Sequence, residues 1–154
     1  MTDEDGPGVF VPPPLLFGVA VAAGVLLDGN ALEWRHVTHP SQYAGAVVAA
    51  AGLVLIAVSL GLFRRFRTRP EPWRPAEALI RTGIYRLSRN PMYLGMALIG
   101  LGIAMFFESL AAFLLLAAAL VAIDRYVIAR EEAYLARRFG TDYEAYRAKV
   151  RRWI

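Results

Sequence analysis

The chain has 154 residues, 57% of them hydrophobic and 19% charged, where soluble domains run about 45–50% apolar and about 25% charged. Lys+Arg number 17 against 13 Asp+Glu, a net charge of +4. Such hydrophobicity excludes a disordered chain, and the absence of cysteine excludes disulfide scaffolds, thiolate metal sites and cysteine nucleophiles.

The apolar residues fall in blocks that predict one all-α membrane domain with about four transmembrane helices. Residues 15–27 are uncharged, and Phe10 and Val11 extend that block ahead of Pro12, Pro13 and Pro14. Asp3, Glu4 and Asp5 precede it, where a cleaved signal peptide carries positive charge, so a retained helix is expected. Residues 44–63 are a second uncharged run, ending at Arg64 and Arg65. A third run covers 92–107 and a fourth 110–123, the latter extended by Tyr126 to Ile128. Crossing about 30 Å of hydrocarbon takes roughly 20 helical residues. The second block meets that length outright, and the others reach it with their polar-flanked ends. The chain thus divides into a first helix pair (1–63), a loop (64–91), a helical hairpin (92–128) and an interfacial helical segment (129–154).

Basic residues set the orientation. Eight arginines lie between Phe63 and Met92, and eight further bases follow Ile123. The segment 28–43 holds one arginine, Arg35, and the Glu108-Ser109 turn holds none. Bases collect on the cytoplasmic side of short loops, which predicts cytoplasmic termini and a cytoplasmic 64–91 loop. This topology, with anionic lipid headgroups as partners, accounts for a pI of about 9.8 without a nucleic-acid partner. His36 and His39 stand at a metal-ligand spacing, but Pro40 breaks any helix there and no cysteine is at hand, so no metal site is expected.

The polar residues that stand out lie on the basic side. Asn90 before Pro91 predicts a capped helix start, whose free amides, with Arg89, suit an anion; Tyr93 shares its face. Thr141 and Glu144 read as a capping box after a helix ending at Gly140. Tyr143, Tyr146, Val150 and Trp153 make a stripe that predicts a helix lying on the membrane plane. Glu131 and Glu132 are adjacent carboxylates, one able to turn toward Asn90 and Tyr93, the other to pair with Arg130 or the bases near Arg137. Asp124 and Arg125 form an interfacial couple or line the site.

These residues together carry a resemblance. Gly83-Ile84-Tyr85-Arg86, Arg89-Asn90-Pro91-Met92-Tyr93-Leu94-Gly95, and then Glu131-Glu132, Leu135, Phe139-Gly140, Tyr143, Tyr146 and Val150 resemble the isoprenylcysteine carboxyl methyltransferase and phospholipid methyltransferase superfamily, over about the last half of the chain. The resemblance implies an integral-membrane enzyme that binds S-adenosylmethionine and methylates a lipophilic acceptor, a prenylated carboxylate or a phospholipid amine. It implies cofactor binding by Tyr85, Arg89, Asn90, Pro91, Tyr93, Leu94, Glu131 and Glu132. Arg89 with the helix start would take the cofactor's carboxylate, and Glu131 or Glu132 its ammonium. Arg89 and Glu132 are the catalytic candidates, Glu132 as the base if the acceptor must lose a proton. Asn90 stands where the family usually has histidine, so no histidine base operates at that position. Gly95, Gly100 and Gly102 would leave room for an acceptor between the third and fourth helices, or else serve close helix packing. A membrane reductase using a nicotinamide cofactor and a non-enzymatic membrane assembly protein are the alternatives. No motif encodes an oligomeric state.

Overall fold

In the computed structural model, which describes residues 6–29 and 40–154, each apolar block folds as a helix. The described residues are all-helical, without a strand. Helices α1 (Pro13–Leu27) and α2 (Pro40–Arg65) are followed by an irregular segment ending in a 3₁₀ turn (Gly83–Arg86). Helix α3 (Pro91–Phe106) turns back at Glu108, whose φ of 50° closes a tight corner, into α4 (Leu110–Ala122). A π-helical turn (Ile123–Ile128) joins α4 to α5 (Ala129–Phe139), and α6 (Thr141–Arg147) ends the helical part. His36 and His39 lie outside the described residues.

Two stretches are long and apolar enough to cross a membrane: α2, with 26 residues, and the continuous helix Leu110–Phe139, with 30. Helices α1 and α3 are shorter apolar helices of 15 and 16 residues, about 22–24 Å at 1.5 Å per residue. The polar-flanked ends expected to lengthen them do not: Pro12 to Pro14 start α1 and leave Phe10 and Val11 before it. Of the four crossings expected, two thus have helices of full spanning length and two have shorter apolar helices.

Packing explains which faces are buried. Of α2, only Gly45, Gly52 and Ser59 are buried, while Val47, Leu53, Val54 and Val58 face outward; an outward face of that composition suits lipid rather than water. The buried glycines meet glycines of α3 running antiparallel. A Cβ on Gly95 would press on the Gly52 carbonyl and Ile56, and one on Gly102 on the Gly45 carbonyl and Ala49. Close backbone approach through small residues is how apolar helices associate without a hydrophobic driving force. Gly100 faces Leu116 of α4 and Val21 of α1 instead. Gly95 and Gly102 thus seal α3 against α2, and the room between α3 and α4 expected at Gly100 is taken by Leu116.

At the end away from the arginine-rich loop, Asp28 closes α1 onto α4: its Oδ2 accepts from Ser109 Oγ at 2.6 Å and Ala111 N at 3.0 Å. Ser109 itself caps α4 by accepting from Ala112 N.

Candidate functional site

The other end of the bundle concentrates the ionic chemistry. The first turn of α3, the face of α5 and the chain after α6 converge there. Glu132, on the inward face of α5, is 8% exposed. Its Oε1 accepts from Arg89 Nη2 at 2.6 Å and its Oε2 from Arg152 Nη2 at 2.6 Å. Arg152 also donates through Nη1 to Asp124 Oδ2 at 3.1 Å, and Trp153 Nε1 donates to Asp124 Oδ1 at 2.9 Å. Two guanidiniums and two carboxylates thus neutralise one another, as charges withdrawn from water must. Arg125 approaches Asp124 only at 3.8 Å, so the partner of Asp124 is Arg152 rather than its neighbour in sequence. The π-helical turn presents Asp124, and such turns collect at functional ends of helices.

The C-terminal segment is stitched across the start of α3. Arg89 N donates to the Arg151 carbonyl at 3.0 Å, and Arg89 Nη1 to the carbonyls of Arg147 and Val150, each at 3.1 Å. Asn90 Nδ2 donates to the Arg152 carbonyl at 3.0 Å. The expected side-chain cap at Asn90 is absent: its amide is drawn to the strap, and Ser88 Oγ takes the Asn90 N–H instead. The capping box at Thr141 does not form either, because Gly140, with φ 50°, occupies the cap position and Thr141 is already helical. Tyr143 and Tyr146, expected on the membrane plane, point inward at 1% and 7% exposure. Tyr146 OH donates to the Tyr85 carbonyl at 2.7 Å, which ties α6 to the 3₁₀ turn. Burial pushes the Tyr143 phenol up to about 12 and raises that of Tyr85 further, so both stay neutral donors. A stripe of that periodicity marks one face; the protein interior claims it before the membrane does.

Glu131 is set apart from this network. It accepts from Tyr93 OH at 2.7 Å and has no ion pair among the described residues. The carboxylate that turns toward α3 is therefore Glu131. Glu132 pairs with Arg89 and Arg152 rather than with Arg130, whose guanidinium reaches the Gly8 carbonyl and lies over the Tyr126 ring. Both Glu132 oxygens are thus engaged by guanidiniums, while Glu131 carries no cation among the described residues.

Two adjoining cavities meet at Tyr93. A polar cavity of about 130 Å³ is lined by Tyr85, Arg89, Asn90, Tyr93, Glu131 and Glu132. Pro91, buried beneath it, and Leu94 line neither cavity. An apolar groove of about 820 Å³ runs between α1, α2 and α3, along Phe17, Val21, Ile56, Met96 and Ile103. Pro70, Glu71, Pro72, Met92 and Tyr93 line both. Among the described residues, two buried side-chain atoms lack a hydrogen-bond partner, Arg89 Nε and Glu71 Oε2. Both residues line the polar cavity. Glu71, Arg152 and Trp153 have no local signature in the sequence, since each acquires its meaning from residues distant along the chain.

An uncharacterized protein of Haemophilus influenzae is 40% identical over 63 residues, which are 41% of this chain and the whole of that protein. No solved structure matches the chain. The phospholipid methyltransferase family profile matches residues 40–142, which include α2, α3, α4 and the Glu131-Glu132 pair. The chain belongs to the phospholipid methyltransferase family, part of the group of membrane methyltransferases that resemble isoprenylcysteine carboxyl methyltransferase.

Proposed function

We propose that this protein is an S-adenosylmethionine-dependent methyltransferase that modifies a lipophilic acceptor, either a prenylated carboxylate or a phospholipid amine. It crosses the bilayer four times, with both termini and the 64–91 loop on the cytoplasmic side. The observation that carries the reading is the junction of the polar cavity and the apolar groove at Met92 and Tyr93. A transfer between a polar donor and a greasy acceptor needs two such compartments to touch.

The donor set fits the cofactor's methionine end. Arg89 Nε is buried without an acceptor, and a carboxylate would supply one. Glu131, which has no cationic partner among the described residues, would hold the ammonium, a role open to Glu132 only if Arg152 withdraws. Tyr85, Asn90 and Tyr93 line the remainder, while Pro91 and Leu94 shape the helix start from behind. Ligand sites usually measure about 300–1,000 Å³, so a cavity of about 130 Å³ admits the whole cofactor only after its walls open.

When bound, S-adenosylmethionine supplies an electrophilic methyl group on a sulfonium. The protein's part is to orient the reactants and exclude water, which matters most when a displacement needs little acid–base help. Arg89 and Glu131 fix the polar end, the groove aligns the acceptor chain, and Tyr93 stands where the two meet. A carboxylate acceptor needs no base, whereas an amine must lose its proton before it attacks.

Thermal unfolding of the purified protein with S-adenosylmethionine, S-adenosylhomocysteine or NADPH tests this reading. A ligand at a hundred times its Kd stabilises by about 2.7 kcal/mol. Stabilisation by both adenosyl compounds is expected; a response to NADPH alone would indicate a reductase, and no response would leave the family's catalytic role unfilled here.

A further inference from the structure

The loop between α2 and the 3₁₀ turn is held rigidly over the start of α3. Thr68 Oγ1 accepts from Glu77 N at 3.0 Å and Ala78 N at 3.4 Å, and Tyr134 OH accepts from Ala76 N at 3.1 Å. Gly6 lies against the Trp73 carbonyl so closely that a Cβ there would collide with it. Glu71 lies within this braced loop, its carbonyl accepting from Arg74 N at 3.1 Å. Its Oε2 is buried and has no hydrogen-bond partner among the described residues. A carboxylate oxygen without a donor is among the costliest groups to withdraw from water, and a native structure that keeps one usually reserves it for a ligand or an ordered water.

The position of Glu71 narrows what that ligand is. Among the described residues it is the only charged one lining the apolar groove, and the only charged one shared by the groove and the polar cavity. A lipid chain lying along Phe17, Val21 and Met96 would bring its headgroup to this seam. We propose that Glu71 reads the acceptor's headgroup: it accepts a hydrogen bond from an amine N–H at the mouth of the groove and repels a carboxylate. This rests on the methyltransferase reading above and decides between its two acceptor classes. The acceptor it selects enters along the groove beside α1 and α3 rather than between α3 and α4. Glu71 acts as a specificity residue through the charge it presents, while Arg89 and Glu131 serve the cofactor.

Trp73, beside Glu71 on the groove wall, offers a readout that needs no cofactor. The full chain in phosphatidylcholine nanodiscs is titrated with dibromostearylamine or dibromostearate, and tryptophan quenching is followed. A Trp73→Phe variant identifies the Trp73 share of the signal among the three tryptophans. The amine is expected to quench Trp73 at a mole fraction at least tenfold lower than the acid. Glu71→Gln should bring the two probes within twofold of each other, whereas Glu77→Gln, at an exposed site on the same loop, should keep the tenfold preference. An equal response to both probes in the unaltered protein overturns the proposal, as does a preference that survives in Glu71→Gln. Absence of S-adenosylmethionine binding in the same nanodiscs would strike the methyltransferase reading, and a retained, Glu71-dependent amine preference would then stand as a headgroup site alone.

Discussion

Helix α3 has two faces that a sequence of apolar residues does not tell apart. Toward α2 it is sealed: Gly95 and Gly102 lie against Gly52 and Gly45, and no side chain fits between the backbones. Toward α1 it stands open, and Met96, Ile99 and Ile103 form one wall of a groove of about 820 Å³. The difference teaches that a glycine on a membrane helix makes contact where it meets another helix's backbone, as Gly95 and Gly102 do, and not by its residue type alone. Space arises where larger side chains hold two helices apart, as Phe17 and Val21 do on the α1 side.

The strongest way to break this contrast is to put the same substitution on both faces. Gly102→Leu would drive a side chain into the Gly45 carbonyl and Ala49 and should cost about 3 kcal/mol, the upper range for overpacking. Gly18 lines the groove with nothing near its Cβ position, so Gly18→Leu should change stability by no more than about 0.5 kcal/mol. Unfolding in detergent followed by circular dichroism measures both. A comparable loss in the two variants would mean that the groove is closed in the folded protein.

The polar end of α3 poses the same question of sealing or opening. There the C-terminal strap crosses the helix start, held by Arg152 to Glu132 and Asp124. Arg152→Ala removes one of the two cations on a buried carboxylate and should destabilise by about 1–3 kcal/mol. It should also speed hydrogen exchange at the Arg89 amide, which donates to the Arg151 carbonyl. Faster exchange with the fold retained makes the strap a movable cover like the open face. Loss of the whole fold would make it a seal like the glycine face.

Much of this architecture was legible in the chain because apolar runs are local. The blocks at 15–27, 44–63, 92–107 and 110–123 each became a helix close to the expected bounds. What the chain hid depends on partners far away in sequence. The Asn90 amide is drawn from its capping role by Arg152, 62 residues on. Tyr143 and Tyr146 have the spacing of a membrane-surface stripe, but periodicity names a face and not what the face meets. The tie of the Glu71 loop to α5, through Ala76 N and Tyr134 OH, is equally non-local, and an acid flanked by prolines and arginines reads as a solvated loop. At the site, the motif brought six of the eight expected residues to one cavity. The different partners of Glu131 and Glu132 follow only from which face of α5 each occupies.

The smallest expected effect falls at the residue where the open face and the polar cavity meet. Tyr93 lines both and donates to Glu131 Oε1 at 2.7 Å. Tyr93→Phe keeps the ring that walls the groove and removes only the hydroxyl, at a cost of about 1 kcal/mol. With Glu131 as the holder of the cofactor's ammonium, losing this donor loosens the carboxylate's position. Affinity for S-adenosylmethionine should fall about fivefold, the equivalent of that energy, while the quenching of Trp73 by dibromostearylamine stays within twofold of the unaltered protein. The opposite result, weaker amine binding with cofactor affinity unchanged, would assign the Tyr93 hydroxyl to the groove and move the boundary between the two compartments to Glu131.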